Sequence, residues 1–171
     1  LRLRETEERY AGMDREKLEL QVVGGWVDAF GYELPAAEGE AWARYTNELL
    51  LEACATEKRL YPLATVPLQD GDRAARVLQD AMAAGAKGAM IGTQPEGVGF
   101  GKPAGLDDQR SAPFWAAASD LGGAIFIHPA YDTLDAPVTC DALVHAVPRL
   151  HDLPPAGPAR VMSGRPAHTS R

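Results

Sequence analysis

The sequence predicts an α/β protein in which parallel strands are covered by helices. After a first helix, strand-like and helix-like stretches alternate four times, and alternation at this pitch requires crossovers and a parallel sheet. Each strand-like stretch is a continuous apolar run and not an apolar–polar alternation, as helices on both faces of a sheet require. Pro129 closes the last run behind His128, because proline has no N–H for a ladder and pushes its predecessor towards extended geometry. Two architectures satisfy this pattern: an open doubly wound sheet complete at this length, and part of a (β/α)₈ barrel, which takes about 250 residues.

The elements follow in order. Residues 5–18 are charged and helix-prone, with Tyr10, Met13 and Leu18 as a thin apolar stripe. Residues 20–26 form a short strand running into a glycine turn, and 27–38 a loop carrying Phe30 and Tyr32. Residues 38–57 form the clearest helix, with Trp42, Tyr45, Leu49, Ala53 and Thr56 at helical spacing as its core face. A second strand covers 60–68. Asp70 caps a helix over 71–84 that buries Ala74, Val77, Leu78, Ala81 and Met82 and stops at Gly85. Residues 88–92 form a third strand, followed by a glycine-rich loop to Asp108. Ser111 caps the next helix, with Pro113 in its first turn and Phe114, Trp115, Ala118 and Leu121 facing inward. Residues 122–128 read as a fully buried strand ending at His128. Thr139 starts a last helix with Leu143, Val144, Val147 and Leu150 along one face. The segment 153–171, rich in proline and arginine, reads as a poorly ordered tail to a domain over 1–152.

A chain of 171 residues holds one domain with a real core, and a net charge of −7 argues against nucleic acid. The sequence has no basic amphipathic face and no apolar run near the roughly 20 residues that span a bilayer, so no membrane partner is expected. Cys54 and Cys140 lack metal-like spacing and read as reduced thiols of a cytoplasmic protein.

His128 is the strongest chemical candidate, since ligands of α/β folds bind at the carboxyl ends of strands and an imidazole there takes a metal or a proton. The competing reading is a polar plug bonded to a neighbouring loop. The run Gly97-Val98-Gly99-Phe100-Gly101-Lys102 resembles a phosphate cradle only at a glance: Glu96 and Pro103 stand where a P-loop needs glycine and Ser or Thr. Ser111, Ser119, Ser163 and Ser170 lie in no strand-to-helix elbow. His145, His151 and His168 form no ligand pair at helical spacing, and Asp107-Asp108, Asp132 and Asp135 read as solvated turn residues.

Three segments together resemble the amidohydrolase-related family that includes 2-amino-3-carboxymuconate-6-semialdehyde decarboxylase: residues 63–70 (Leu-Ala-Thr-Val-Pro-Leu-Gln-Asp), 88–93 (Gly-Ala-Met-Ile-Gly-Thr), and 113–118 continuing to Phe126-Ile127-His128-Pro129. The resemblance runs from about residue 9 to about residue 150, and also takes in Met13-Asp14 and Phe30-Gly31-Tyr32. It implies a metal-dependent (β/α)₈ barrel, usually with zinc and sometimes manganese, of which this chain carries about strands two to five. In that family the metal is held by a His-x-His pair on strand one, a His ending strand five and an Asp ending strand eight, and His128 matches the strand-five ligand. Metal there lowers the pKa of bound water to about 7, for cleaving a carboxylate or hydrating a double bond. The resemblance thus implies a decarboxylase (carboxy-lyase) or hydrolase acting on a small carboxylated molecule. Trp26, Tyr32, Thr93 and Gln94 fall where its loops face the substrate pocket, many relatives having His at the place of Gln94.

The sequence has no His-x-His pair, no sixth-strand histidine motif and no eighth-strand aspartate. One imidazole cannot close a zinc shell, so the polypeptide alone is expected to be inactive, an internal piece of such an enzyme. Open strand edges imply association with a second copy or with a longer relative. The alternatives are a non-catalytic pseudoenzyme or dimerisation module of the same fold, and an open-sheet phosphate or nucleotide binder resting on the glycine loop alone.

Overall fold

The computed structural model describes residues 6–93 and 106–128. The loop with Gln94 and the glycine run, the helix expected from Thr139, the segment 153–171, and Cys140, His145, His151 and His168 lie outside the described residues.

The described elements are α1 (Thr6–Arg15), β1 (Gln21–Val23), a 3₁₀ turn (Val27–Ala29), α2 (Ala36–Cys54), β2 (Leu60–Pro62), α3 (Gly71–Ala83), β3 (Gly88–Gly92), a second 3₁₀ turn (Gln109–Ser111), α4 (Ala112–Leu121) and β4 (Ala124–His128). β1 pairs with β2 in parallel, Gln21 opposite Leu60 and Val23 opposite Pro62. β3 pairs with β4 in parallel, Gly88 opposite Ala124 and Gly92 opposite His128. The chain beyond β2 joins the two pairs through a parallel bridge between Ala64 and Ala89. Ala64 N–H donates to Gly88 O at 2.9 Å and Met90 N–H to Ala64 O at 2.9 Å. The spatial order is therefore β1-β2-β3-β4, each strand beside its successor. A doubly wound sheet would place its first strand inside and reverse direction at a switch point; sequential order is that of a barrel wall.

The helices form where the pattern supports them. Asp70 accepts from the N–H of Arg73 and caps α3. α3 buries Ala74, Val77, Leu78 and Ala81 as the periodicity predicts, and Gly85 beyond its end has φ +116°. Their core also takes Val66, Leu68, Ala89, Ile91, Phe114 and Ala118. A satellite cluster of Met13, Cys54 and Leu60 docks α1 onto the end of α2 and the start of β2.

Several expectations are corrected. The inner face of α2 is Gly39, Ala43, Asn47 and Cys54, whereas Trp42, Tyr45 and Leu49 are exposed, as are Ala53 and Thr56. Small residues bring this helix close, so the aromatic stripe is left outside. Leu18 is exposed because α1 ends at Arg15 and Lys17 turns the chain with φ +55°. Leu121 is exposed at the last position of α4. Ser111 precedes α4 but its side chain makes no capping bond; Asp108 caps the preceding 3₁₀ turn instead, accepting from Arg110 N–H. β4 is not fully buried: Ala124 is exposed and the rest is half-buried, because among the described residues only β3 pairs with it.

Candidate functional site

The carboxyl ends of the four strands lie on one side of the sheet, and at this rim Tyr32 and Thr93 stand beside Gly92, the residue level with His128. Ile125 and Ile127 pack against the core that α3 and α4 share with the sheet. Side chains alternate along a strand, so Phe126 and His128 stand on the opposite face, where their ring centroids lie 6.2 Å apart. His128 is thus the last residue of β4, half-buried, on the face away from the helices and level with Gly92.

Thr93 follows directly and is buried. Tyr32 arrives from the β1–α2 loop. Its ring is buried against Phe30, with centroids 5.5 Å apart, and its hydroxyl accepts the N–H of Gly92 at 3.2 Å. Burial pushes the Tyr32 phenol far above its ordinary pKa, against a smaller opposing pull from the Gly92 bond, so it stays neutral. Trp26 behaves differently: it is 61% exposed, and its indole N–H donates to Asp28 Oδ2 at 2.6 Å. Its ring is left largely open to solvent in the turn after β1.

The double glycine after β1 has a steric reason. A Cβ on Gly24 would lie 2.6 Å from Met90 Cε, and one on Gly25 would lie 2.8 Å from Thr65 Oγ1. Bare backbone lets the end of β1 pass over the side chains of its neighbours.

Two residues that sequence reasoning passed over hold this rim in place. Asn47 of α2 clamps the backbone of Thr65, donating from Nδ2 to its carbonyl at 2.8 Å and accepting its N–H at Oδ1 at 2.7 Å. Gln69 ties the β2–α3 turn to the loop that carries Tyr32, donating to Gly31 O and Leu34 O. The available signal was an amide inside each apolar context: Asn47 on a helix face with Ala43, and Gln69 directly after Leu68.

Outside the rim, Glu40 ties α2 to α3. Burial raises its pKa, but hydrogen bonds from Arg73 and Arg44 outweigh that and hold the carboxylate below its ordinary range. Cys54 is a buried free thiol whose pKa burial pushes up, with a smaller downward pull from Arg9. Asp108 is paired with Arg110 at 2.8 Å and serves as a cap, in line with a turn role.

No group of three or more His, Cys, Asp or Glu side chains among the described residues is arranged to hold a metal ion. The described residues therefore do not by themselves fit the metal centre that the resemblance implies. No helix among them is long and apolar enough to cross a membrane.

No curated protein gives a significant match to the chain. Solved structures do. A dihydroxybenzoic acid decarboxylase from Polaromonas, with bound manganese and 2-nitroresorcinol, superposes with a TM-score of 0.70 at 23% identity, over 85% of this chain and 41% of that one. The 2,6-dihydroxybenzoate decarboxylase from Rhizobium gives 0.70 at 25% identity, over 88% and 45%. The 5-carboxyvanillate decarboxylase from Novosphingobium aromaticivorans, complexed with manganese, gives 0.64 at 24% identity, over 82% and 38%. The chain spans less than half the length of each of these relatives, and the sequential parallel strands are those of part of an amidohydrolase barrel. The family profile described as Amidohydrolase matches residues 2–156, well over half of the sequence. With strand order, three-dimensional likeness and profile in agreement, the chain belongs to the amidohydrolase family.

Proposed function

We propose that this chain forms part of the active-site wall of a metal-dependent carboxy-lyase or hydrolase acting on a small carboxylated substrate, and that it is inactive alone. In this reading His128 is one ligand of a divalent ion, zinc or manganese. The other ligands come from outside the described residues. The single observation that carries it is the placement of His128 at the carboxyl end of β4, on the face away from the helices. Further support comes from the relatives, two of which hold manganese and all three of which are named as decarboxylases of aromatic carboxylic acids.

Tyr32, Thr93 and Trp26 are proposed as the wall of the substrate pocket, Tyr32 as neutral packing rather than a proton donor, with Gln94 extending the wall beyond the described residues. Leu20 and Val22, exposed on and beside β1, are proposed to meet a second copy or a longer relative. Neutral imidazole is a favoured ligand for zinc, whereas manganese would draw more on carboxylate and water oxygens beside it.

Manganese titration followed by proton NMR tests the ligand role without requiring tight binding. The ion is expected to broaden one imidazole resonance that is missing in His128→Ala, while the chain releases no carbon dioxide from dihydroxybenzoates. Broadening that leaves the His128 resonance untouched removes the ligand assignment. Turnover by the chain alone removes its inactivity.

A further inference from the structure

Gln69 sits between β2 and α3 and is 7% exposed. Its Nε2 donates to Gly31 O at 3.0 Å and to Leu34 O at 3.3 Å. Those two carbonyls bracket Tyr32. The same loop is turned by Gly31, with φ +72°, and closed by the N–H of Leu34 on Gly31 O at 3.2 Å. Both acceptors are carbonyls, so the orientation of the amide is fixed: only its nitrogen end can face them. The room for that nitrogen is made by α2. A Cβ on Gly39 would lie 2.2 Å from Gln69 Nε2.

The other end of the amide is left over within the described residues. Gln69 Oε1 is buried and has no hydrogen-bond partner among the described residues. An orphaned acceptor is a standing cost that a leucine at the same place would not carry. The position retains an amide despite this, and what the amide supplies is its two donors to the Tyr32 loop. Tyr32 in turn meets the N–H of Gly92, the residue level with His128. A line of contacts therefore runs from the β2–α3 turn through the β1–α2 loop to the rim.

We infer that Gln69 is a positioning residue, whose amide holds the 30–34 loop shut on the sheet and so fixes Tyr32 at the carboxyl end of β3. Its functional meaning rests on the proposed role of that rim. The positioning itself does not, and is tested without metal or substrate.

Hydrogen exchange and ultraviolet titration of the tyrosines are compared for the 171-residue chain, Gln69→Leu and Gly39→Ala. In Gln69→Leu the amides of 32–34 are expected to exchange about tenfold faster or more, while those of Val77 and Leu78 on α3 keep their rates. The late-titrating phenol of Tyr32 is expected to fall to the ordinary range near 10 once the loop lifts. Gly39→Ala is the sharper variant. Helix propensity alone favours it, yet its methyl takes the place of the Gln69 nitrogen, so the same loop amides are expected to speed up. Loop amides that keep their rates in either variant overturn the inference. So does a rise shared equally by α3, which would make Gln69 a general packing residue. The manganese experiment at His128 can fail or succeed independently of both outcomes.

Discussion

The middle of the sheet and its two margins are built from similar residues and end in different states. β3 is buried along its length except for Met90, and every residue from Pro62 to Gln69 is buried. β1 carries two valines after Gln21 and β4 is apolar up to His128, yet β1 is half-buried with Val22 exposed, and β4 is half-buried with Ala124 exposed. The difference is one of neighbours. The segment around β2 and β3 has a described strand on either side and α3 against its face, whereas each margin has a described strand on one side only. An apolar run predicts a strand; burial of that strand depends on what stands beside it.

The largest effect that sharpens this contrast is a pair of leucine truncations. Leu78→Ala removes a side chain that is fully buried between α3 and the sheet, and is expected to cost about 3 kcal/mol. Leu20→Ala, at a residue 49% exposed beside β1, is expected to cost less than about 1 kcal/mol. Urea unfolding of both variants measures the difference. Equal losses would mean that the β1 margin is covered in solution, as the proposed association with another chain requires, and raising the protein concentration would then stabilise the native protein further.

The same contrast explains what could be read in advance. The α3 face and the bounds of β3 were legible because both neighbours agree with the periodicity, and the resemblance carried the barrel assignment. The face of α2 was not legible: Gly39, Ala43 and Asn47 make the contact, and a search for large apolar residues finds Trp42, Tyr45 and Leu49 on the wrong side. His128 could be placed at a strand end from Pro129 alone. The clamps made by Asn47 and Gln69 could not, because they join residues far apart in sequence and use backbone groups that every sequence has.

A middle-sized effect tests whether the core is held by polar clamps as well as by packing. Asn47→Ala leaves the buried N–H and carbonyl of Thr65 without their partner. Two orphaned backbone groups, with water admitted to neither, are expected to cost about 2 kcal/mol or more. Exchange of the Thr65 amide should rise beyond what the global loss of stability explains. An unchanged Thr65 amide would show that the strand end is held by its bridge to β3 and not by α2.

The smallest effect lies at the margin, where charge replaces packing. Asp108 caps the turn before α4 and is paired with Arg110, whose hydrogen bonds to its side chain, with help from the Arg110 N–H, lower the carboxyl from 3.8 to about 2. A folded-state pKa below the unfolded one means that the pair stabilises the fold when the carboxyl is ionised. Its contribution is therefore whole above about pH 4 and is lost as pH falls towards about 2. Asp108→Asn keeps an oxygen for the cap but removes the charge. It is expected to lower neutral-pH stability slightly, because the pair is partly open to solvent and screened, and to flatten the acid limb by that same small amount, the two proteins converging as pH falls towards about 2. If acid unfolding of the variant follows the native curve, carboxylates elsewhere carry the acid limb. Glu40, held below its ordinary range between Arg73 and Arg44, is then the next to substitute.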